Sequence, residues 1–228
     1  MHSVILAAGR GSRLNHSVPK PLVKLITGES ILGRQLRLLR DVVPPSKTVL
    51  VVGHQRDLII GAFPGCIYVV NDRYADTNTA KSLELGLKTV GEDDVLFLNG
   101  DVVFEAKVIE ALVAYPSSGM AVNRERCGDE EVKYLANQDG MISAVSKAVT
   151  EPLGEALGVN MVRRADFYRL LAGLAECNDT DYFERGIELA ISRGARFGAV
   201  DVTGCTCVEV DYPADLQKAN AELALGCA

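Results

Sequence analysis

The sequence predicts an α/β fold in which a mixed, mostly parallel sheet carries helices on both faces. Short strands that are apolar along their whole length alternate with helical segments, which is typical of parallel strands buried on both sides. The 228 residues, 48% of them hydrophobic, suit one domain with an appended lid. The first half shows the alternation clearly, and the second half adds a β/α segment.

The first half begins with a buried strand at 4–7 that ends at Gly9. Ser30 is a candidate N-cap for the first helix, which Pro44 and Pro45 should end. The remaining predicted elements are strands at 48–52, 67–70, 95–98 and 120–123 and helices at 31–43, 79–90 and 106–114. Because ligands bind beyond the carboxyl ends of such strands, the loops at 8–20, 71–78 and 99–104 should converge.

The second half begins with a predicted hairpin that turns at Asp139-Gly140. A closing helix starts at Pro213, a residue that suits the first helical turn. Between them the pattern predicts strands at 132–136, 142–145, 158–162, 197–202 and 206–210 and helices at 165–175 and 182–192. We expect this half to form the substrate-facing side and a small β/α lid subdomain.

The composition argues against several partners. A net charge of −6 makes the chain a poor partner for nucleic acid or an anionic membrane. No apolar run approaches the roughly 20 residues of a membrane span, and no signal layout opens the chain. Six scattered cysteines suit the reducing cytoplasm, and Cys205 and Cys207 should share one strand face as small core residues rather than bind metal. A homodimer is compatible with the sequence, which does not determine the oligomeric state.

The loop after the first strand reads LAAGRGSRL at 6–14 and continues to PKPL at 19–22. Gly9 and Gly11 allow a tight turn whose backbone N–H groups can approach and cradle a phosphate. Arg13 offers a planar fork for phosphate oxygens, and Lys20 offers a compact charge between two prolines. The pattern is neither a P-loop nor the dinucleotide fingerprint. His16 could also contact a phosphate, although a solvated loop position is the favoured interpretation.

Two aspartates follow predicted strands at distant places in the chain. Asp101 comes after the strand at 95–98, and Asp211 comes after the strand at 206–210. Proteins hold Mg²⁺ with one or two carboxylates plus substrate phosphates. A turn position for Asp101 and a helix cap for Asp211 are the alternatives. Together with the glycine loop, the pair favours a magnesium site.

At these motifs the chain resembles nucleotidyltransferases of the sugar-1-phosphate and cytidylyltransferase superfamily, which share two alanines, GxGxR, a hydrophobic residue and then PK. The resemblance implies a Rossmann-like sheet, binding of a nucleoside triphosphate and loss of pyrophosphate. It implies triphosphate binding and transition-state stabilisation for Arg13 and Lys20, and a catalytic metal at Asp101 and Asp211. The matching nucleotide-binding loop comprises Leu6, Ala7, Ala8, Gly9 and Gly11.

A polar segment at 71–83 precedes a predicted helix that Thr77 or Asn78 can cap, with Ser82 one turn inside. Such a helix N-terminus could read a pyrimidine edge, and plain capping is the alternative. The pattern of Asn, Tyr, Thr-Asn and Ser-Leu resembles the phosphocholine and phosphonate cytidylyltransferase branch. This resemblance favours CTP and predicts a single domain, with a nucleotide-binding core at 1–125 and an acceptor-binding and lid portion at 126–228.

The resemblance implies transfer of CMP to a small phosphonate or phosphorylated amine or alcohol, such as 2-aminoethylphosphonate or phosphocholine. A nucleotidyltransferase for sugar 1-phosphate or inositol phosphate, using UTP, dTTP or CTP, is the alternative. A nucleotide-sensing domain without turnover is disfavoured, because it should have lost Lys20 or an aspartate.

The residues that would bind the acceptor are harder to identify from the sequence. Charged residues at a solvated strand end are the alternative to an acceptor site. Lys133 or Lys147 could meet the acceptor phosphate. The segment at 129–133 resembles an acidic-then-lysine segment of the phosphocholine and phosphonate branch, and Asp129 or Glu130 could meet a substrate ammonium. Glu155 and the segment at 158–160 also resemble a family segment that faces the acceptor. The predicted acceptor-binding residues are Asp129, Glu130, Lys133, Lys147, Glu155 and Asn160.

A site for the quaternary ammonium of choline requires aromatic rings around it, of which Trp binds best, and the chain has no Trp. Such a site would depend on Tyr134, Tyr182 or Phe183. The lack of Trp favours a smaller amine or hydroxyl phosphonate as the acceptor.

Overall fold

The computed structural model describes residues 1–14 and 18–226 and contains one large mixed sheet with helices on both faces. The strands are β1 (His2–Ala7), β2 (Thr48–Val52), β3 (Ile67–Val70), β4 (Val95–Asn99), β5 (Val102–Phe104), β6 (Ser118–Asn123), β7 (Lys133–Ala136), β8 (Ile142–Ser146), β9 (Gly154–Val162), β10 (Phe197–Asp201) and β11 (Cys207–Glu209). The helices are α1 (Ile31–Leu39), α2 (Arg56–Ala62), α3 (Thr79–Val90), α4 (Ala106–Ala114), α5 (Phe167–Glu176), α6 (Phe183–Ser192) and α7 (Pro213–Gly226).

The strand order across the sheet is β3-β2-β1-β4-β9-β6-β10. Strands β3, β2, β1 and β4 run parallel, and β6 and β10 are parallel to each other. Strand β9 lies between β4 and β6 and is antiparallel to both, and the β7–β8 hairpin attaches to β9 through β7. The mostly parallel sheet confirms the predicted fold class.

Alternation along the strands divides the core between the two faces of the sheet. One face packs Val4, Val51 and Phe97 against α3, α5 and α6. The other face packs Ile5 and Leu50 against apolar residues of α1 and α4. Because the apolar side chains cover both faces, polar groups of the sheet concentrate where the strands end.

Three differences from the predicted elements have local causes. Helix α1 ends at Leu39, ahead of the prolines, because the N–H groups of Val42 and Val43 turn back to the Leu39 carbonyl. Strand β9 begins at Gly154, earlier than predicted, because it pairs with β6 on both sides of a bulge. Strand β5 was not predicted, and it exists through antiparallel pairing with the distant β11.

Cys205 and Cys207 both pack against the core on the α1 and α4 side, as expected, but they do not share a strand, because β11 begins at Cys207 and Cys205 lies in the bend before it. The cysteines within the described residues are free thiols. No helix in this part of the chain is long and apolar enough to cross a bilayer. His16 and Cys227 lie outside the described residues.

Candidate functional site

A cleft of about 520 Å³ opens beyond the carboxyl ends of β1 and β4. The three loops that were predicted to converge all contribute to it, as do residues from the second half of the chain. From the first half, the lining includes Leu6, Ala8, Gly9, Gly11, Arg13, Lys20, Tyr74, Thr77, Asn78, Ser82, Asn99 and Asp101. The predicted convergence is therefore confirmed.

The charged centre of the cleft joins the basic arm to both predicted aspartates. The Lys20 Nζ atom lies 2.8 Å from Asp101 Oδ2 and 2.5 Å from Asp211 Oδ1. Arg13 donates to Asp211 Oδ2 over 3.2 Å. Lys20 is only 9% exposed, while the Arg13 side chain is half exposed. Groups that are up to 198 residues apart in the chain thus meet in one cleft.

Backbone contacts hold this centre in place. Lys20 opens a short 3₁₀ turn after Pro19, and Gly11 faces its side chain with a φ of +58°. A Cβ atom at Gly11 would lie 2.8 Å from the Lys20 Cβ, so any larger residue there would displace Lys20. The buried side chain of Gln35 donates to the carbonyls of Asn99 and Val102, at 2.9 and 2.7 Å, which anchors the loop that carries Asp101.

The opposite charges of the centre shift its pKa values. Burial alone would lower the pKa of Lys20, but the charges and hydrogen bonds of Asp101 and Asp211 raise it above the ordinary value. Burial alone would raise the pKa of Asp211, but Lys20 and Arg13 lower it. Lys20 and Asp211 are therefore both charged at neutral pH.

Glu209 is a third carboxylate that the sequence reasoning missed. Oxygen atoms of Asp101, Glu209 and Asp211 all lie within 4.8 Å of one another. Desolvation in the cleft and the charges of the two aspartates raise the pKa of Glu209. The available signal was its position two residues before Asp211 in an extended segment, which directs both side chains to one side.

These residues fit a hard divalent cation. The Oδ1 atom of Asp101 is buried and has no hydrogen-bond partner. An array of carboxylate oxygens is the ligand set that Mg²⁺ prefers. Asp101, Glu209 and Asp211 would therefore hold Mg²⁺, and the unpaired oxygen of Asp101 is the atom that most needs a partner.

The predicted base-reading segment lines the cleft at the start of α3. Asn78 caps the helix, since its Oδ1 atom accepts from the Thr79 N–H over 2.8 Å. The buried Asn71 donates to Thr77 Oγ1 and Ser82 Oγ, at 3.0 and 3.1 Å, and so fixes both hydroxyl groups. The capping interpretation is thus correct for Asn78, and its side chain also lines the cleft.

Strand alternation separates Ala7 from its neighbours in the glycine loop. Leu6, Ala8 and Gly9 line the cleft, whereas the Ala7 side chain packs in the core on the α1 and α4 side. A contact between Ala7 and a ligand would therefore involve its backbone.

Three of the six predicted acceptor residues line the cleft, namely Glu130, Lys147 and Glu155. Asp129, Lys133 and Asn160 are outside that lining. Lys133 donates to the Lys147 carbonyl over 3.2 Å and so supports the lysine that does reach the cleft. Asn160 is 1% exposed because it lies two residues beyond Gly158 on β9, where it pairs with Phe97 of β4 and Met120 of β6 in the interior of the sheet.

Glu184 is a second cleft carboxylate that the sequence reasoning missed. It lies in the first turn of α6, is 6% exposed, and lines the cleft with an Oε2 atom that has no hydrogen-bond partner. Desolvation raises its pKa to about 7, against weaker opposing effects of a hydrogen bond from its own backbone N–H and of the Lys147 charge. A single Glu at a helix start carries no pattern that would distinguish it from an ordinary surface residue.

We expect Glu184→Gln to increase stability at alkaline pH and to change it little in acid. The folded protein keeps the Glu184 proton until about pH 7, whereas the unfolded chain releases it near 4.5. Ionisation therefore penalises the folded state as pH rises, by up to about 3 kcal/mol, and glutamine removes that penalty.

Denaturant unfolding at about pH 5 and about pH 8.5 measures this difference. The exposed cleft residue Glu125, changed to Gln, is the matched control and should show no such pH-dependent gain. Equal stabilities of the original protein and Glu184→Gln at both pH values would contradict the prediction.

The chain is similar in sequence to known proteins. A profile of the family described as MobA-like NTP transferase domain matches residues 3–165. The chain is 30% identical over 244 residues to the CMP-5'-(3-aminopropyl)phosphonate synthase of Streptomyces rubellomurinus, covering 96% of this chain and 38% of that protein. It is 32% identical over 176 residues to a bifunctional protein GlmU of Methanococcus maripaludis, covering 75% and 40%. The chain thus spans about two fifths of the length of these curated relatives.

Solved structures share the fold over almost the whole chain. The inositol-1-phosphate CTP transferase of T. maritima superimposes with a TM-score of 0.80 at 19% identity, covering 100% of this chain and 97% of that one. The CTP:phosphocholine cytidylyltransferase of Streptococcus pneumoniae gives 0.77 at 19% identity, covering 97% and 98%. These similarities confirm the Rossmann-like fold.

Proposed function

Because this chain belongs to the family of MobA-like NTP transferase domains, we propose that it transfers CMP from CTP to a small phosphonate or a phosphorylated amine or alcohol, releasing pyrophosphate. The observation that carries the proposal is the contact of Lys20 with both Asp101 and Asp211 in a cleft lined by a glycine loop. The similarity to a CMP-phosphonate synthase supports CTP and a phosphonate.

In the proposed reaction an anionic oxygen of the acceptor attacks the α-phosphorus of CTP in line. A new P–O bond forms, the bond to the bridging oxygen of the β-phosphate breaks, and pyrophosphate leaves with its electron pair. The acceptor oxygen is already ionised, so no general base is required. Catalysis then consists of positioning and charge neutralisation.

Each part of the cleft has a proposed role in that step. The amides around Gly9 and Gly11 bind the triphosphate, and Arg13 and Lys20 offset its charge. Magnesium, held by the three carboxylates, would supply further positive charge at the triphosphate. We assign 1–125 to the nucleotide-binding core and 126–228 to the acceptor-binding and lid portion.

Base recognition is proposed for the start of α3. Thr77, Asn78 and Ser82 line the cleft, and Asn71 holds the hydroxyl groups of Thr77 and Ser82 in place. The Thr77 hydroxyl also donates to the Arg73 carbonyl, and the Asn78 amide accepts from the Thr79 N–H and donates to the Thr180 carbonyl, so these groups are fixed by the protein. Fixed donors and acceptors of this kind suit the edge of a cytosine.

A nucleotide panel tests this proposal. With Mg²⁺ and 2-aminoethylphosphonate, we expect kcat/KM for CTP to exceed that for UTP and dTTP by roughly 10²-fold or more, since a site built to hydrogen-bond one base rejects others strongly. Pyrophosphate release measures turnover, and reactions without acceptor correct for hydrolysis. Sugar 1-phosphates, inositol phosphate and phosphocholine complete the acceptor panel. Release confined to UTP or dTTP with a sugar 1-phosphate would overturn the cytidylyltransferase assignment.

A further inference from the structure

The acceptor half of the cleft, by which we mean its lining residues within 125–184 and 218–222 on the basis of the proposed function, is strongly acidic. Its lining contains two lysines, Lys147 and Lys218, against a larger number of glutamates. These glutamates are Glu125, Glu130, Glu131, Glu155, Glu184 and Glu222. An acceptor with an anionic phosphonate or phosphate would be repelled by this surface unless the rest of the molecule carried positive charge.

Glu184 is the most buried of these glutamates; its Oε2 atom lacks a hydrogen-bond partner, as does that of the less buried Glu131. Within the described part of the chain Glu184 forms no ion pair. The lysine that influences it, Lys147, is already engaged, with its Nζ 3.4 Å from Glu130 Oε2 and 5.4 Å from the centre of the Tyr182 ring. A buried, unpaired carboxylate is costly unless a ligand supplies the counter-charge.

The surroundings of Glu184 distinguish between kinds of ammonium group. A quaternary ammonium needs open aromatic faces, but Tyr134 and Phe183 are buried in the core. The tyrosine rings that do line the cleft already lie beneath cationic groups. These pairs are Tyr74 with Arg10, Tyr182 with Lys147 and Tyr212 with Arg13. A primary ammonium, in contrast, donates hydrogen bonds directly to a carboxylate.

We propose that Glu184 binds the primary ammonium group of the acceptor and thereby selects aminoalkyl phosphonates or phosphorylated primary amines over hydroxyl and quaternary analogues. This inference rests on the proposed function, because it concerns the acceptor of the same transfer. Lys147 exchanges its contact with the exposed Glu130 for the anionic end of that acceptor, so Glu184 and Lys147 set the spacing between the acceptor's two charges. Glu184 is thus a specificity-determining residue.

The test compares 2-aminoethylphosphonate with 2-hydroxyethylphosphonate, which differ only in the group that Glu184 would contact. In the original protein we expect kcat/KM to favour the amine by about 10²-fold. In Glu184→Gln we expect the value for the amine to fall at least tenfold, mainly through KM, while the values for the hydroxyl analogue and the KM for CTP stay unchanged. Glu184→Asp, which keeps the charge, should restore part of the preference.

Two controls separate this role from a general loss of charge or fold. Glu125→Gln removes one exposed carboxylate of the same half and should keep the preference for the amine. Thermal unfolding of each variant shows whether it is folded. Phosphoethanolamine and phosphocholine form a second pair. The original protein should show the higher kcat/KM with phosphoethanolamine, and this difference should be lost in Glu184→Gln.

Calorimetric binding to the complex with Mg²⁺ and a non-hydrolysable CTP analogue gives a readout that does not depend on turnover. Equal affinity of the original protein for the amine and hydroxyl compounds, or an equal loss for both in Glu184→Gln, would overturn the inference. A raised KM for CTP in that variant would also overturn it, by placing Glu184 at the nucleotide. If CTP reacts equally well with the hydroxyl analogue, this inference fails while the proposed function stands. If no acceptor reacts with CTP, the proposed function fails.

Discussion

Replacing Asp101 by Asn should lower kcat by roughly 10³-fold while leaving the protein folded. Asparagine keeps the shape of the side chain but removes its negative charge. Asp101 offers one oxygen to Lys20 at 2.8 Å and has a second, buried oxygen without a partner. Loss of this charge should weaken the binding of a divalent cation and leave Lys20 less well positioned.

Pyrophosphate release at saturating CTP and Mg²⁺ measures the loss of turnover, and titration with Mn²⁺ measures cation binding directly. Asp41→Asn is the matched control, because Asp41 is exposed in the turn after α1 and does not line the cleft. A variant at position 101 with near-normal turnover and Mn²⁺ affinity would remove Asp101 from the metal assignment. The same two measurements on Glu209→Gln give the contribution of the third carboxylate to turnover and to cation binding.

The contact of Asp101 with the basic arm was accessible from sequence because it follows from sheet geometry. The apolar strands before the glycine loop and before Asp101 predict a parallel sheet, and the residues that follow parallel strands lie at the same edge of the sheet. The β5–β11 pairing was not accessible, because β5 is three residues long and its partner begins more than 100 residues later. Short strands of this kind depend on tertiary contacts rather than on local pattern.

Burial explains why two of the predicted site residues do not present their side chains to the cleft. Asn160 and Ala7 lie on strands whose ends border the cleft, but both side chains are buried. Asn160 is two residues beyond the cleft residue Gly158, and the Ala7 side chain lies on the opposite face of the sheet from those of Leu6 and Ala8. Glu184 shows the reverse, since a helical Glu with no distinctive neighbours is buried against the cleft. Sequence patterns indicate which end of a strand meets a ligand, whereas burial depends on how α6 packs on the sheet.

Lys20→Met is expected to separate two roles of Lys20, which are to offset charge on the triphosphate during turnover and to neutralise Asp101 and Asp211 in the folded protein. Turnover should fall by roughly 10²- to 10³-fold, because the ammonium that offsets charge on the triphosphate is lost. Without divalent cations the variant should be less stable by about 1–2 kcal/mol, since Asp101 and Asp211 lose a partner that is nearly buried while they remain partly exposed themselves.

Adding Mg²⁺ should raise the unfolding temperature of Lys20→Met more than that of the original protein. In the original protein the Lys20 ammonium already lies between the oxygens that would bind the cation, at 2.8 and 2.5 Å, so cation and lysine compete. Lys24→Met is the matched control, because Lys24 lies in the same arm with an exposed side chain. An equal response to Mg²⁺ in all three proteins would show that Lys20 does not compete for the cation position. If turnover of Lys20→Met approaches that of the original protein as the Mg²⁺ concentration is raised, Lys20 acts only by neutralising the aspartates. If Mg²⁺ restores the stability but not the turnover, the Lys20 charge acts on the triphosphate.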